Sequence, residues 1–166
     1  LGVLGTNGCG MYSNISFPTI KRKIMIASLG KAFGLTGGVI ASNSNFIKQI
    51  KNLDTFISSA SMSAAAVQTM ADAGSIYLQQ HQKLKDNLKY IDTYLRKNKA
   101  VHFDINYPLI YPEIEGIKEI LLDNKIIATN FKYPTGPKDL NRIVITANHK
   151  KEDLDTIIHI LNQYQI

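Results

Sequence analysis

The chain has 166 residues, 45% hydrophobic and 19% charged, a composition suited to one packed domain or two small ones. The single cysteine, Cys9, excludes an intrachain disulfide and suits a reducing cytoplasm; no apolar run reaches the roughly 20 residues that span a membrane, and no signal-peptide pattern is present. The net charge of +6 reads as a solvated basic surface: Lys48, Lys51, Lys83, Lys85, Lys89 and Lys97 are dispersed among acids and amides, and no base-stacking aromatic motif accompanies them, which argues against nucleic acid as a partner.

Residues 1–23, with Gly2, Gly5, Gly8, Gly10 and Pro18, read as loop and turn. The chain opens at Leu1 directly in this glycine-rich turn, which points to a piece of a longer polypeptide. Lys23 to Ser28 reads as a buried strand, and Gly38 to Ser42 as a second short one. Asn43 or Ser44 is placed to cap a helix over Asn45–Leu53. Thr55 to Ser61 reads as a short extended piece.

A long helical stretch follows. Val67, Met70, Gly74, Tyr77 or Leu78, His81, Leu84, Leu88, Ile91 and Leu95 recur at three- and four-residue spacing and form one apolar stripe. Its length predicts two helices, or one bent near Gln79–Gln82. After Asn98, strand pieces over Val101–Ile105 and Leu109–Tyr111 flank Pro108. A helix over Ile114–Asn124 follows, with Ile117, Ile120 and Leu121 on one face. Then come a strand over Lys125–Tyr133, a turn at Pro134–Pro137 and a strand over Asn141–Ala147 with Ile143 and Ile145 on one side. The last helix, Lys151–Tyr164, turns Leu154, Ile157, Ile158 and Leu161 inward. Strands paired with helices in this order make an α+β lobe. There are no internal repeats and no low-complexity segments.

The segment that carries chemistry is Ser28-Leu29-Gly30-Lys31-Ala32-Phe33-Gly34, followed by Leu35-Thr36-Gly37-Gly38. A nucleotide P-loop needs a glycine five residues before the Gly-Lys pair and a Ser or Thr after it; Met25 and Ala32 stand there instead. A lysine that forms a Schiff base with pyridoxal phosphate explains more of the pattern. Glycines at 30 and 34 let the backbone approach a planar ring, and Ser28 offers a hydroxyl to the cofactor phosphate. Burial of such a lysine disfavours its charged form, which frees the amine for imine formation and proton abstraction.

This run resembles the lysine signature of class II pyridoxal-phosphate-dependent aminotransferase-fold enzymes, and within them the α-oxoamine synthases. Three further segments, in the same order, resemble that family. Leu1-Gly2-Val3-Leu4-Gly5-Thr6-Asn7-Gly8-Cys9-Gly10 is similar to the stretch after its Asp-Glu-Ala-His motif. Ser59-Ala60-Ser61-Met62-Ser63 is similar to its Ser-Thr-Ser-Met-Pro stretch, and Asn141 to His149 is similar to its Leu-Arg-Ile-x-x-Thr-Ala-x-His segment. The 8-amino-7-oxononanoate synthases are the best-matching template.

The resemblance implies an α/β fold-type-I transferase fragment. Residues 1–75 would be a remnant of the large cofactor-binding domain, and 76–166 the small α+β C-terminal domain with its linking helix. It implies that Lys31 holds pyridoxal phosphate and, once freed, acts as base at the substrate α-carbon. Ser28 would bind the cofactor phosphate, and Ser59 and Ser61 the phosphate in the neighbouring subunit of a homodimer. Arg142 and Thr135 would contact the amino-acid substrate, Arg142 through its carboxylate. The reaction implied condenses an amino acid with an acyl-CoA thioester with loss of CO2; a 2-amino-3-ketobutyrate CoA ligase or an aminotransferase is the alternative, and a non-catalytic interaction module the alternative of another class. His149 is expected to fix the start of the last helix, and His81, His102 and His159 to be structural or exposed. No His/Cys spacing points to a metal site.

There are departures from the family pattern: Cys9 stands where arginine is usual, Ser63 and Ala64 where prolines are common, and Lys150 where threonine is common. The aspartate that pairs with the ring nitrogen and the histidine that stacks on the ring in this family have no match in the sequence, so the 166 residues alone are expected to be inactive.

Overall fold

The computed structural model of the chain describes residues 1–12, 21–132, 134 and 139–164. They form two compact units, Leu1–Gln79 and Gln80–Ile166. No helix among the described residues is long and apolar enough to cross a membrane.

The first unit is built around an antiparallel hairpin of β1 (Met25–Ser28) and β2 (Gly38–Ala41), with Met25 opposite Ala41 and Ser28 opposite Gly38. Helix α1 (Ser44–Lys51) starts where the sequence places a cap: the Phe46 amide donates to Asn43 Oδ1 at 2.9 Å. The extended reading of Thr55–Ser61 is incorrect for its first residues, because Asp54–Ile57 is a short helix, α2. The amides of Phe56 and Ile57 both donate to the Leu53 carbonyl, and Asp54 brings a negative charge to the helix start. These local bonds outweigh the extended preference of Thr-Phe-Ile.

The long helical stretch is two helices, as its length predicts, but the division lies elsewhere. Helix α3 (Ala64–Asp72), capped by Ser63 Oγ accepting from the Ala66 amide at 3.2 Å, ends at Ala73, and α4 (Gly74–Leu95) runs unbroken through Gln79–Gln82. The division falls beside Gly74, the residue of the stretch that pays most backbone entropy in a helix. The apolar stripe is likewise buried only in part. Val67 and Leu78 are exposed, whereas His81, Leu84, Leu88, Ile91 and Leu95 are buried.

The second unit is an antiparallel sheet of order β3-β4-β6-β5 with two further helices. Its strands are β3 (Val101–Phe103), β4 (Leu109–Pro112), β5 (Thr129–Phe131) and β6 (Leu140–Val144), and its helices α5 (Ile117–Asp123) and α6 (Lys151–Asn162). At the end of β6 Ile143 is buried and Val144 exposed, and Ile145, just past the strand, is buried again. From α6, Leu154, Ile157, Ile158 and Leu161 are all buried, joined by Ile160. The strand expected over Lys125–Tyr133 shrinks to three described residues. Lys125 takes a left-handed φ of 61°, and Ile127 is 92% exposed, so the chain leaves the extended path there. Helix α5 is shorter than Ile114–Asn124 because Gly116, at φ 68°, stands before its first residue.

A buried amide holds the end of α4 to the end of α6. Asn98 Nδ2 donates to the Leu161 carbonyl at 2.9 Å and to Asn162 Oδ1 at 3.3 Å, and its Oδ1 accepts from the Ala100 amide at 2.9 Å. Asn98→Ala strands buried backbone partners and is expected to cost about 1–3 kcal/mol. A urea unfolding midpoint that falls with unchanged m checks it.

Candidate active site

Lys31 lies in the loop that joins β1 to β2, and the loop is folded on itself rather than open. Leu29, 1% exposed, anchors it: its amide donates to the Gly37 carbonyl at 3.0 Å and its carbonyl accepts from the Leu35 amide at 3.0 Å. Within that frame the Gly34 amide donates to the Lys31 carbonyl at 3.1 Å, and Gly34 sits at φ 64°, a conformation L-residues rarely adopt. Lys31 is therefore the first residue of a tight turn with its side chain exposed. No hydrogen bond or ion pair engages its amine among the described residues. The burial expected of this lysine is not supplied by the first unit.

Ser28 closes β1 beside it. Its Oγ accepts from the Gly30 amide at 3.2 Å, which uses a lone pair and leaves the hydroxyl proton for another acceptor. Ser59 differs: its hydroxyl proton is already donated to the Phe56 carbonyl at 2.8 Å. Ser61 is exposed in the segment between α2 and α3.

The loop draws distant segments to it. A Cβ added to Gly37, at φ 131°, would fall 2.4 Å from Met62 Cγ, so the Ser59–Ser63 segment packs against the end of the lysine loop. A Cβ added to Gly2, at φ 83°, would fall 2.5 Å from Ala32 Cβ, which places the glycine-rich N-terminal turn against the loop as well. From α4, Tyr77 donates its hydroxyl to the Phe33 carbonyl at 3.1 Å, and its ring meets that of Phe33 edge-on, centroids 4.7 Å apart. The roles of Gly2, Gly37, Met62 and Tyr77 were not read from the sequence. The Gly37-Gly38 pair was the one local signal available, and it carries no information about which segment approaches.

Arg142 belongs to the second unit, on β6 opposite Thr129 of β5. Thr135 lies outside the described residues. His149 accepts the Thr146 amide on Nδ1 at 3.1 Å, and its carbonyl accepts from Asn87 Nδ2 at 3.2 Å. It thus shapes the turn into α6, whose first amides gain the Asp153 carboxylate, which accepts from the Lys150 amide at 2.8 Å. His102 and His159 are exposed, bound to Glu113 and Gln163, and His81 is buried. Asp155, accepting the hydroxyl of Tyr90, raises that phenol, and Asp92 raises Arg96.

The family model for aminotransferase class I and II matches residues 4–161. The chain belongs to this family. Among curated members, it is 35% identical to the 8-amino-7-oxononanoate synthase of Petrotoga mobilis over 93% of this chain and 42% of that protein. It is 31% identical to that of Thermoanaerobacter pseudethanolicus over 95% and 42%. Among solved structures, serine palmitoyltransferase of Sphingomonas wittichii superposes with a TM-score of 0.73 at 16% identity, over 98% of this chain and 44% of that one. The 8-amino-7-oxononanoate synthase of Francisella tularensis superposes at 0.68 and 22%, over 98% and 51%. The chain thus carries part of the fold-type-I transferase fold, and it spans less than half the length of the curated family members it matches.

Proposed function

We propose that the chain is part of a pyridoxal-phosphate-dependent acyltransferase that condenses an amino acid with an acyl-CoA thioester with loss of CO2, as the 8-amino-7-oxononanoate synthase resemblance implies. The observation that carries this reading is the convergence of the segments around Gly2 and Met62 on the Lys31 loop. Residues 1–75 are then the large-domain remnant and 76–166 the small domain of a cytoplasmic homodimer.

The residues present fit the cofactor. When bound, pyridoxal phosphate supplies a conjugated ring able to take up the electron pair left at the substrate α-carbon. Lys31 Nζ is the amine that anchors it and, when released, accepts the α-proton. The Ser28 hydroxyl, whose proton is uncommitted, would donate to the cofactor phosphate. Ser61, and Ser59 were it to give up the Phe56 carbonyl, would serve the phosphate held by a second subunit. Arg142 would take the substrate carboxylate through its planar fork, and Thr135 would contact the substrate.

The first unit cannot complete the site. It contains no histidine, and its acids are Asp54, at the start of α2, and Asp72, whose oxygens accept from Gln68 at 2.9 and 3.0 Å. The family's ring-nitrogen carboxylate and stacking imidazole have no match in this sequence, so residues 1–166 alone are expected to be inactive.

The test is a chimaera in which this chain replaces the matching segment of the Petrotoga mobilis enzyme. Amino-acid-dependent release of free CoA thiol supports the acyltransferase reading. Amino transfer to a 2-oxo acid without thiol release assigns an aminotransferase instead. Failure of both, in a folded chimaera, leaves an interaction module.

A further inference from the structure

Arg142 is fixed by its neighbours on the sheet. Thr129 stands directly across from it in the β5–β6 ladder and Phe131 stands diagonally, so the three share one face. The guanidinium carbon lies 4.9 Å from the centroid of the Phe131 ring, within the range where a ring face attracts a cation. Arg142 Nε is shut off from water and has no hydrogen-bond partner among the described residues. On the other face, Asn130 Nδ2 donates to Asn141 Oδ1 at 2.7 Å between directly paired residues. That bond holds the register, and a slip of one residue would turn Arg142 to the opposite face.

An arginine whose Nε is enclosed and whose guanidinium carbon lies over a ring has its two terminal nitrogens left for a ligand. A carboxylate meets that end of the fork with both oxygens, one on each Nη. We propose that Phe131 is a positioning residue: it sets the plane of Arg142 so that a substrate carboxylate docks end-on through Nη1 and Nη2. This rests on the reading of Arg142 as the carboxylate ligand. The ring takes up, during folding, rotamer freedom that a free arginine would lose on binding.

The test uses the 166-residue chain labelled with 15N and follows the arginine Nε–Hε resonances. Arg22, Arg96 and Arg142 are the only arginines, so Arg142→Lys assigns the signal and Arg96 reports on the fold. L-alanine is the probe, and ethylamine, which lacks the carboxylate, is the control. The Arg142 resonance is expected to move with L-alanine and not with ethylamine. Phe131→Leu, which keeps apolar bulk without a ring face, is expected to weaken the response about fivefold, and Phe131→Tyr to restore it to within about twofold. Equal affinity in Phe131→Leu and the parent overturns the positioning role while the reading of Arg142 stands. An Arg142 signal that ignores L-alanine in the parent chain overturns both.

Discussion

Lys31→Ala in the chimaeric enzyme is expected to lower turnover by at least about a thousandfold, the scale on which a positioned general base contributes, with the covalent anchor lost besides. Stability, measured without pyridoxal phosphate, should hardly change. The Lys31 side chain is exposed and its amine engages no described group, so its removal falls among surface substitutions worth within about 0.5 kcal/mol. The separation is what gives the experiment its force. An activity loss accompanied by an unchanged unfolding midpoint assigns Lys31 to chemistry, whereas a residue that merely shaped the turn would lower both together.

Gly37→Ala is expected to do the reverse, destabilising the first unit by about 2–6 kcal/mol. Two effects add. At φ 131° an L-residue is strained, by about 1–3 kcal/mol. The new Cβ would also lie 2.4 Å from Met62 Cγ and 2.8 Å from its Sδ, and forced overpacking costs about 1–3 kcal/mol more. Methionine is flexible and will yield in part, but yielding moves the Ser59–Ser63 segment away from the lysine loop. Met62→Ala on the Gly37→Ala background should therefore recover the clash and not the backbone strain. A double-mutant cycle on chemical unfolding separates the two parts: a coupling near zero would mean that Met62 is not what the glycine accommodates.

Why one half of this site was legible and the other was not follows from how far apart its parts lie in the chain. Ser28, Gly30, Lys31 and Gly34 are local, and each residue type is demanded by a nearby requirement: an amine, a hydroxyl, a left-handed turn at Gly34. The inward residues of α6 follow from periodicity, and the strands that bracket the loop from their apolar runs, although β1 is not the buried strand its sequence suggests: Ile26 is exposed. The approach of Gly2 to Ala32 and of Met62 to Gly37 is a tertiary fact with no local signal: the resemblance names both segments without bringing either to the lysine loop of the same chain. Arg142 could be named as a carboxylate ligand by its place in a motif, but the Phe131 ring beside it depends on the register of β5 against β6. The misjudged elements are those where local bonds overrode propensity. In α2 the Leu53 carbonyl and Asp54 hold Thr-Phe-Ile helical, and a left-handed Lys125 stands at the start of an apparently extended run.

The central claim is that Lys31 is the covalent anchor of pyridoxal phosphate, and borohydride reduction tests it most directly. The chimaera is loaded with pyridoxal phosphate, reduced, digested and mapped by mass spectrometry. The account predicts an adduct concentrated on the peptide that carries Lys31, and absent from that peptide when unreduced protein is dialysed against an amine. An adduct scattered over the exposed lysines, or one fixed on another lysine while Lys31 stays unmodified, would contradict it.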